Sequence, residues 1–228
     1  MKLSKDTLAI LKNFSSINPG IILQEGNFIM TRSITKTIYV EAQIADEIDC
    51  NMGIYDLSGF LGVLGMAGDD AEITHDESTS TIHIVNGKSK IFYRSADEST
   101  IVQPKKKINA KAFENSNVSF DLSAEDLQQI QRISRAMSID TLAVANKNNK
   151  IVINGYNQGV DESMSNVLYS LEVGDWEGDA DFNLLINMNN LKLLTADYHV
   201  DLIGGAVKFT AEKFFYVIVL EANSTNTF

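Results

Sequence analysis

Between Ser4 and Phe14 the apolar positions Thr7, Ile10, Leu11 and Phe14 fall on one stripe, the spacing of an amphipathic helix, and Ser4 stands where its N-cap belongs. Short β-type runs follow at Ile21–Leu23, Phe28–Arg32 and Thr37–Ala42. A second helix is predicted from near Asp56 through Leu57, Phe60, Leu61 and Leu64. Strands are then expected at Ala71–Thr74, Thr81–Val85 and Lys88–Tyr93, with Asn86-Gly87 as a hairpin signal. The stretch Ser95–Asn117 is polar and has no clear period, so it reads as a connector.

After the connector the order restarts. Val118–Leu122 reads as a strand, and Ser123 caps a third helix carrying Leu127, Ile130, Ile133 and Met137 on its apolar stripe. Strands are predicted at Thr141–Asn146, Lys150–Tyr156, Val167–Val173 and Phe182–Ile186, then a short fourth helix at Asn187–Leu194. The chain closes with strands at His199–Ile203, Ala206–Thr210 and Phe214–Glu221. Ser4, Leu8, Leu11 and Phe14 map onto Ser123, Leu127, Ile130 and Ile133 at a constant offset of 119, and Asp56, Leu57 and Phe60 map onto Asn187, Met188 and Leu191 at 131. This is the mark of an internal duplication with about a dozen extra residues in the second copy, held by the loops 158–165 and 174–181. The expected fold is α+β, with helices on one face of antiparallel sheets. The domains are placed at 1–110 and 111–228, with the connector at about 95–117.

Composition narrows the picture. The 228 residues suffice for two domains, and 44% apolar content supports a core in each. One cysteine, Cys50, excludes an internal disulfide, and neither an apolar leader nor an uncharged membrane-length run is visible. The net charge of −11 argues against a general nucleic-acid binder unless the 19 bases are sorted. They are sorted on the helix wheels. Lys5 and Lys12 lie opposite the first apolar stripe; Gln128, Gln131, Arg132 and Arg135 lie opposite the third; Asn189 and Lys192 point away on the fourth. Ordinary solvated faces explain this pattern, and so does one shared surface for an anion. The second helix, Asp56–Ala67, holds no base.

No enzyme chemistry can be read. Gly59, Gly62 and Gly65 lack dinucleotide-fingerprint spacing, and they read as packing positions. His75, His83 and His199 are scattered without a second ligand cluster, so neither a metal nor another cofactor is expected. The acidic run Asp69-Asp70-Ala71-Glu72 lacks the spacing of a calcium loop.

Several segments carry a more specific signal. They are Met1-Lys2-Leu3-Ser4-Lys5-Asp6-Thr7, Phe28-Ile29-Met30-Thr31-Arg32, Ile54-Tyr55-Asp56-Leu57 with Gly59-Phe60-Leu61-Gly62, Ala124-Glu125-Asp126-Leu127-Gln128-Gln129, Lys150–Asn157 and Leu220-Glu221-Ala222. In these the chain resembles the sliding clamps, the DNA polymerase processivity factors of T-even-type bacteriophages, over nearly its whole length. The resemblance implies two tandem DNA-clamp domains per subunit and a head-to-tail homotrimer. Sheets would lie outside, with helices lining the inner face of a ring. It implies sequence-independent contact with duplex DNA, an ATP-driven clamp loader, capture of the polymerase's C-terminal peptide, late-transcription coactivators as further partners, and action in the cytoplasm of the infected bacterial host. Lys5, Lys12, Arg132, Arg135 and Lys192 match positions expected to face DNA. The family's connector is Pro-rich, whereas this one has Pro104 alone. Ile108, Phe113 and Tyr216 are the candidate lining of the partner-peptide pocket, with core packing as the other reading of each.

Overall fold

The computed structural model describes residues 1–228, apart from the side chain of Ala110. The chain forms two compact units, Met1–Lys107 and Ile108–Phe228.

The first unit opens with α1 (Lys5–Ile17), followed by β1 (Ile21–Leu23), β2 (Gly26–Arg32), β3 (Ile38–Ile48) and β4 (Met52–Ile54). Helix α2 (Leu57–Ala67) leads into the meander β5 (Glu72–Asp76), β6 (Thr81–Asn86) and β7 (Ser89–Arg94). Strand β1 pairs with β4, β2 with β3, and β6 with both β5 and β7, all antiparallel. The start of α1 is fixed twice. Ser4 Oγ accepts the Thr7 N–H, while the Ser4 N–H and hydroxyl donate to Asp46 Oδ2 on β3 at 2.7 and 2.8 Å. Burial raises the Asp46 pKa, but the Thr7 and Ser4 hydrogen bonds outweigh it and hold the carboxyl below its ordinary value. Ile10, Leu11, Phe14 and Ile17 are buried beneath α1, which packs on α2 and β3. Helix α2 starts where the Asp56 carboxylate accepts the Gly59 N–H at 2.9 Å. A Cβ at residue 59 would lie 2.4 Å from Asp56 Oδ2, so glycine there leaves room for the cap.

The second unit runs β8 (Val118–Leu122), α3 (Ala124–Met137), β9 (Thr141–Lys147), β10 (Lys150–Tyr156), β11 (Tyr169–Asp175) and β12 (Phe182–Asn187). It continues with β13 (Tyr198–Ile203), β14 (Ala206–Thr210), β15 (Phe214–Val219) and β16 (Thr225–Asn226). One sheet has the order β11-β10-β9-β12-β16; β8, β13, β14 and β15 lie side by side in another. Leu127 and Ile130 anchor α3 in the core, with Tyr198, Val200 and Phe209 among the buried residues of the β13–β14 pair.

The duplication is visible in backbone geometry. Ser4 caps α1 at φ −70, ψ 162, and Ser123 caps α3 at φ −70, ψ 155. The pair β1/β4 corresponds to β9/β12, and β5-β6-β7 to β13-β14-β15. The β10–β11 connection spans residues 157–168, against 33–37 between β2 and β3, and it holds most of the extra residues of the second copy. That loop is tied down from within: Asp161 accepts from the Ser163 and Ser165 hydroxyls and the Asn166 N–H, and these bonds hold its carboxyl at about 2.

Several expectations need correction. Residues 187–194 do not form a helix. Strand β12 ends at Asn187, whose side chain accepts the Asn189 N–H, and only a 3-10 turn at Met188–Asn190 follows. Leu191 and Leu193 are then buried with exposed Lys192 between them, a strand-like alternation in place of the helical one. Met137 is 44% exposed, because α3 turns its last buried position to Ser134. Strand β3 continues six residues past Ala42 to Ile48, and the short strands β4 and β16 were not anticipated.

Candidate nucleic-acid interface

On α1 the buried stripe leaves Lys5 and Lys12 exposed on the opposite side, together with Asp6, Ala9 and Ser16. On α3, Gln128, Arg132 and Arg135 are exposed and Gln131 is half-buried. Glu125 and Asp126 occupy the first turn of α3 and Arg135 the last, so the charges also follow the helix dipole. None of the ion pairs among the described residues involves Lys12, Arg132 or Arg135. Lys5 differs: its Nζ lies 3.0 Å from Asp69 Oδ2, both side chains being largely exposed. Lys192 is exposed just beyond the 3-10 turn, so it does not belong to a helix face. Each unit therefore presents one long helix with bases outward, and the first unit adds α2, whose outer side carries Ser58, Gly62, Gly65 and Met66 and no charge. Such faces can hold a polyanion by charge and by amide hydrogen bonds without reading its sequence.

The candidate partner-pocket residues sit elsewhere. Tyr216 is fully buried in β15; its hydroxyl oxygen accepts the Leu194 N–H, and burial pushes its pKa far above the ordinary phenol value. Phe113 is 6% exposed on a 3-10 turn, with Lys208 Nζ 6.0 Å from its ring centre, and Ile108 is half-buried. A cavity of about 550 Å³ lies in the first unit, among Ile22, Met30, Ile101, Gln103, Pro104 and Lys105. A second, about 160 Å³, opens between α1 and α2 beside Lys12.

Among the described residues no group of three or more His, Cys, Asp or Glu side chains converges as a metal site, and no helix is long and apolar enough to cross a membrane. His199 is held between Asp121 at 2.8 Å and Asp201 at 3.5 Å, and His75 meets the Asn51 carbonyl at 2.8 Å. Cys50 is half-buried, and burial with the neighbouring Asp49 carboxylate pushes its thiol up to about 11, which makes it a poor nucleophile. Local patterning could not single out Asp69 or Gln103, since each meets its partner across more than sixty positions of chain.

Comparison with known proteins places the whole chain. Residues 4–103 match the family model for DNA polymerase processivity factor, and residues 119–222 match that for the gp45 sliding clamp, C terminal. The chain is 48% identical over 232 aligned residues to the sliding clamp of Enterobacteria phage T4 and 47% identical to that of Escherichia phage RB69, with both chains covered completely in each case. The sliding clamp of Vibrio phage KVP40 is 26% identical over 97% of the chain. Among solved structures, proliferating cellular nuclear antigen from Entamoeba histolytica aligns with a TM-score of 0.64 at 12% identity, over 94% of both chains. The Helicobacter pylori β clamp, bound to a DNA ligase peptide, aligns with a TM-score of 0.62 at 14% identity, over 96% of this chain and 66% of that one.

Proposed function

The chain belongs to the sliding-clamp family of DNA polymerase processivity factors, and on that premise we propose that three copies close head to tail into a ring around duplex DNA. The ring has no catalytic role. It holds the replicative polymerase through that enzyme's C-terminal peptide, is opened and closed on DNA by an ATP-driven loader, and also serves late transcription through coactivators. It works in the cytoplasm of the infected bacterium. The domains act as 1–110 and 111–228, with Lys5, Lys12, Gln128, Gln131, Arg132, Arg135 and Lys192 towards DNA. Ile108, Phe113 and Tyr216 belong to the pocket that takes the partner peptide.

The observation that carries this reading is the duplicated, serine-capped helix, which presents bases outward in both units of a chain with net charge −11. Acidic surfaces elsewhere repel DNA at long range, while the helix faces attract phosphate at contact. Such a protein clings weakly to DNA as a single copy and stays on it when closed around it.

Head-to-tail closure needs two different complementary surfaces on each copy. The two units supply them as free sheet edges. Strand β7 is an edge and exposes Lys90, Phe92 and Arg94; β11 is an edge and exposes Ser170, Glu172 and Asp175. Opposite charge on the two edges favours β7 of one copy against β11 of the next and disfavours like-with-like pairing. Native mass measurement tests the stoichiometry, and retention on circular but not linear DNA after loading tests the topology. A chain that remains a monomer at micromolar concentration and never stays on circular DNA overturns the proposal.

A further inference from the structure

The dipeptide Asn-Gly occurs twice, at Asn86-Gly87 and at Asn154-Gly155. It is chemically labile, because glycine has no Cβ to shield its main-chain nitrogen from the asparagine carboxamide before it. The fold treats the two copies differently. Asn154 and Gly155 lie inside β10, which is paired on both sides: Gly155 stands opposite Leu142 of β9 and Tyr169 of β11. The Ser170 hydroxyl donates to Asn154 Oδ1 at 2.7 Å. A Cβ at residue 155 would lie 2.7 Å from Ile139 Cδ1, so close packing accounts for that glycine. Asn86, in contrast, is the last residue of β6 and stands opposite Ser89 of β7, which leaves Gly87 and Lys88 as the two turn residues. Both are exposed, and Gly87 is at φ +58 with open space where a Cβ would stand. The Asn86 carboxamide closes the end of α2. Its Nδ2 donates at 2.8 Å to the carbonyl of Ala67, one of the last carbonyls that the helix itself leaves unpaired.

We propose that Asn86-Gly87 is a site of spontaneous deamidation, and that the reaction removes the cap from the end of α2. The Gly87 main-chain nitrogen gives up its proton and attacks Asn86 Cγ. The Cγ–Nδ2 bond breaks, ammonia leaves with that proton, and a five-membered cyclic imide joins the two residues. Water then adds to one of the two imide carbonyls. Opening at Cγ leaves an aspartate at position 86; opening at the main-chain carbonyl leaves an isoaspartate, with the chain running through Cγ. The balance is one water in and one ammonia out, with no redox change. Opening of the hairpin tip suffices for the attack at Gly87, whereas Gly155 must first leave two ladders. Either product replaces a donor by a carboxylate, which can only accept. That carboxylate faces the Ala67 carbonyl at the negative end of α2, so attraction becomes repulsion and the hairpin parts from the helix. The isoaspartate also lengthens the main chain by one carbon at the Asn86↔Ser89 pair.

The test ages the full wild-type chain in mildly alkaline buffer and follows the two Asn-Gly peptides by mass spectrometry, reading the exchange of NH for O. Isoaspartate is counted separately, by methyl transfer from S-adenosylmethionine with a protein-isoaspartate methyltransferase. In the folded protein position 86 should convert about tenfold faster than position 154, or more, while in urea the two should convert at similar rates. Asn86→Gln, which would have to close a six-membered ring, should abolish the fast conversion. Hydrogen exchange reads the consequence: the amides of Met66, Ala67 and Gly68 should exchange about tenfold faster in aged protein and in Asn86→Asp than in fresh wild type. Equal conversion at both positions in the folded protein, or an intact position 86 after the unfolded chain has converted, overturns the site. Conversion that leaves exchange at the end of α2 unmoved overturns the loss of the cap.

Discussion

The ammonium of Lys5 lies 3.0 Å from the carboxylate of Asp69, joining the first turn of α1 to the residue just past the end of α2. This pair qualifies the basic face of α1: one of its two lysines already has an acid beside it. Exposed pairs of this kind are worth little for stability, so their effect is on what else the lysine can bind. Asp69→Asn should strengthen non-specific DNA binding at low salt. Lys5→Ala should weaken it less than Lys12→Ala does, and the Lys5→Ala effect should grow in the Asp69→Asn background. A double-mutant cycle on DNA binding measures this; equal effects of Lys5→Ala in both backgrounds would mean that the pair does not compete with DNA.

Arg132 and Arg135 have no ion-pair partner among the described residues and stand in the last two turns of α3. Replacing each by Ala should leave the melting temperature nearly unchanged, since exposed substitutions away from a cap or network usually fall within about 0.5 kcal/mol. If each meets a phosphate, the slope of log binding constant against log salt should become shallower by about 0.9 per side chain removed. An unchanged slope would assign both side chains to solvent.

Helix α2 should respond to glycine replacement with opposite signs along its length. Gly59→Ala puts a Cβ on the Asp56 carboxylate and breaks the cap, at a cost of about 0.5–2 kcal/mol. Nothing lies within 4 Å of a Cβ at Gly62 or Gly65, so Ala at either should stabilise by about 0.5–1 kcal/mol. Urea unfolding of the three single variants provides the comparison. The same two replacements report on function, because they add bulk only to the uncharged outer side of α2.

The loop 157–168 should be acid-sensitive only at very low pH. The Ser163 hydroxyl, then the Asn166 N–H and the Ser165 hydroxyl, hold the Asp161 carboxyl at about 2. Its folded pKa is below the unfolded value near 3.9. The contribution to loop order is therefore complete above that value and is lost as pH falls through about 2. Carboxyl chemical shifts of Asp161 should titrate with a midpoint near 2. Asp161→Asn should raise backbone exchange at Asn166 at neutral pH without altering the sheet beneath; a midpoint near the ordinary aspartate value would show that the loop is not closed in this way in solution.

The elements that sequence patterning identified are those with strong local signals. Ser4 and Ser123 cap helices whose buried residues repeat at three and four positions, and both helices are present with those caps. The failures came where two periods fit the same residues. Met188, Leu191 and Leu194 have helical spacing, but Leu191 and Leu193 also alternate around Lys192, and the Asn187 cap closes a single turn that resolves the segment in favour of the alternation. Strands of two or three residues, β4 and β16, are too short for alternation to register. The charged faces of α1 and α3 were visible from the wheel, whereas Asp69 beside Lys5 was not, because that contact depends on how α1 and α2 pack. Phe113 and Tyr216 were open to two readings, binding or core, and their burial places both inside the fold.

The two halves also record how copies of one ancestral unit drift apart. In the second, β9 is flanked by a strand of seven residues; in the first, a single glutamine stands in that position. A whole strand can be altered only by many coordinated changes, but a side chain can be altered by one. One substitution at Gln103 would therefore strip both bonds from Ile22, whereas the matching ladder of the second half is made by backbone groups that no side-chain replacement removes.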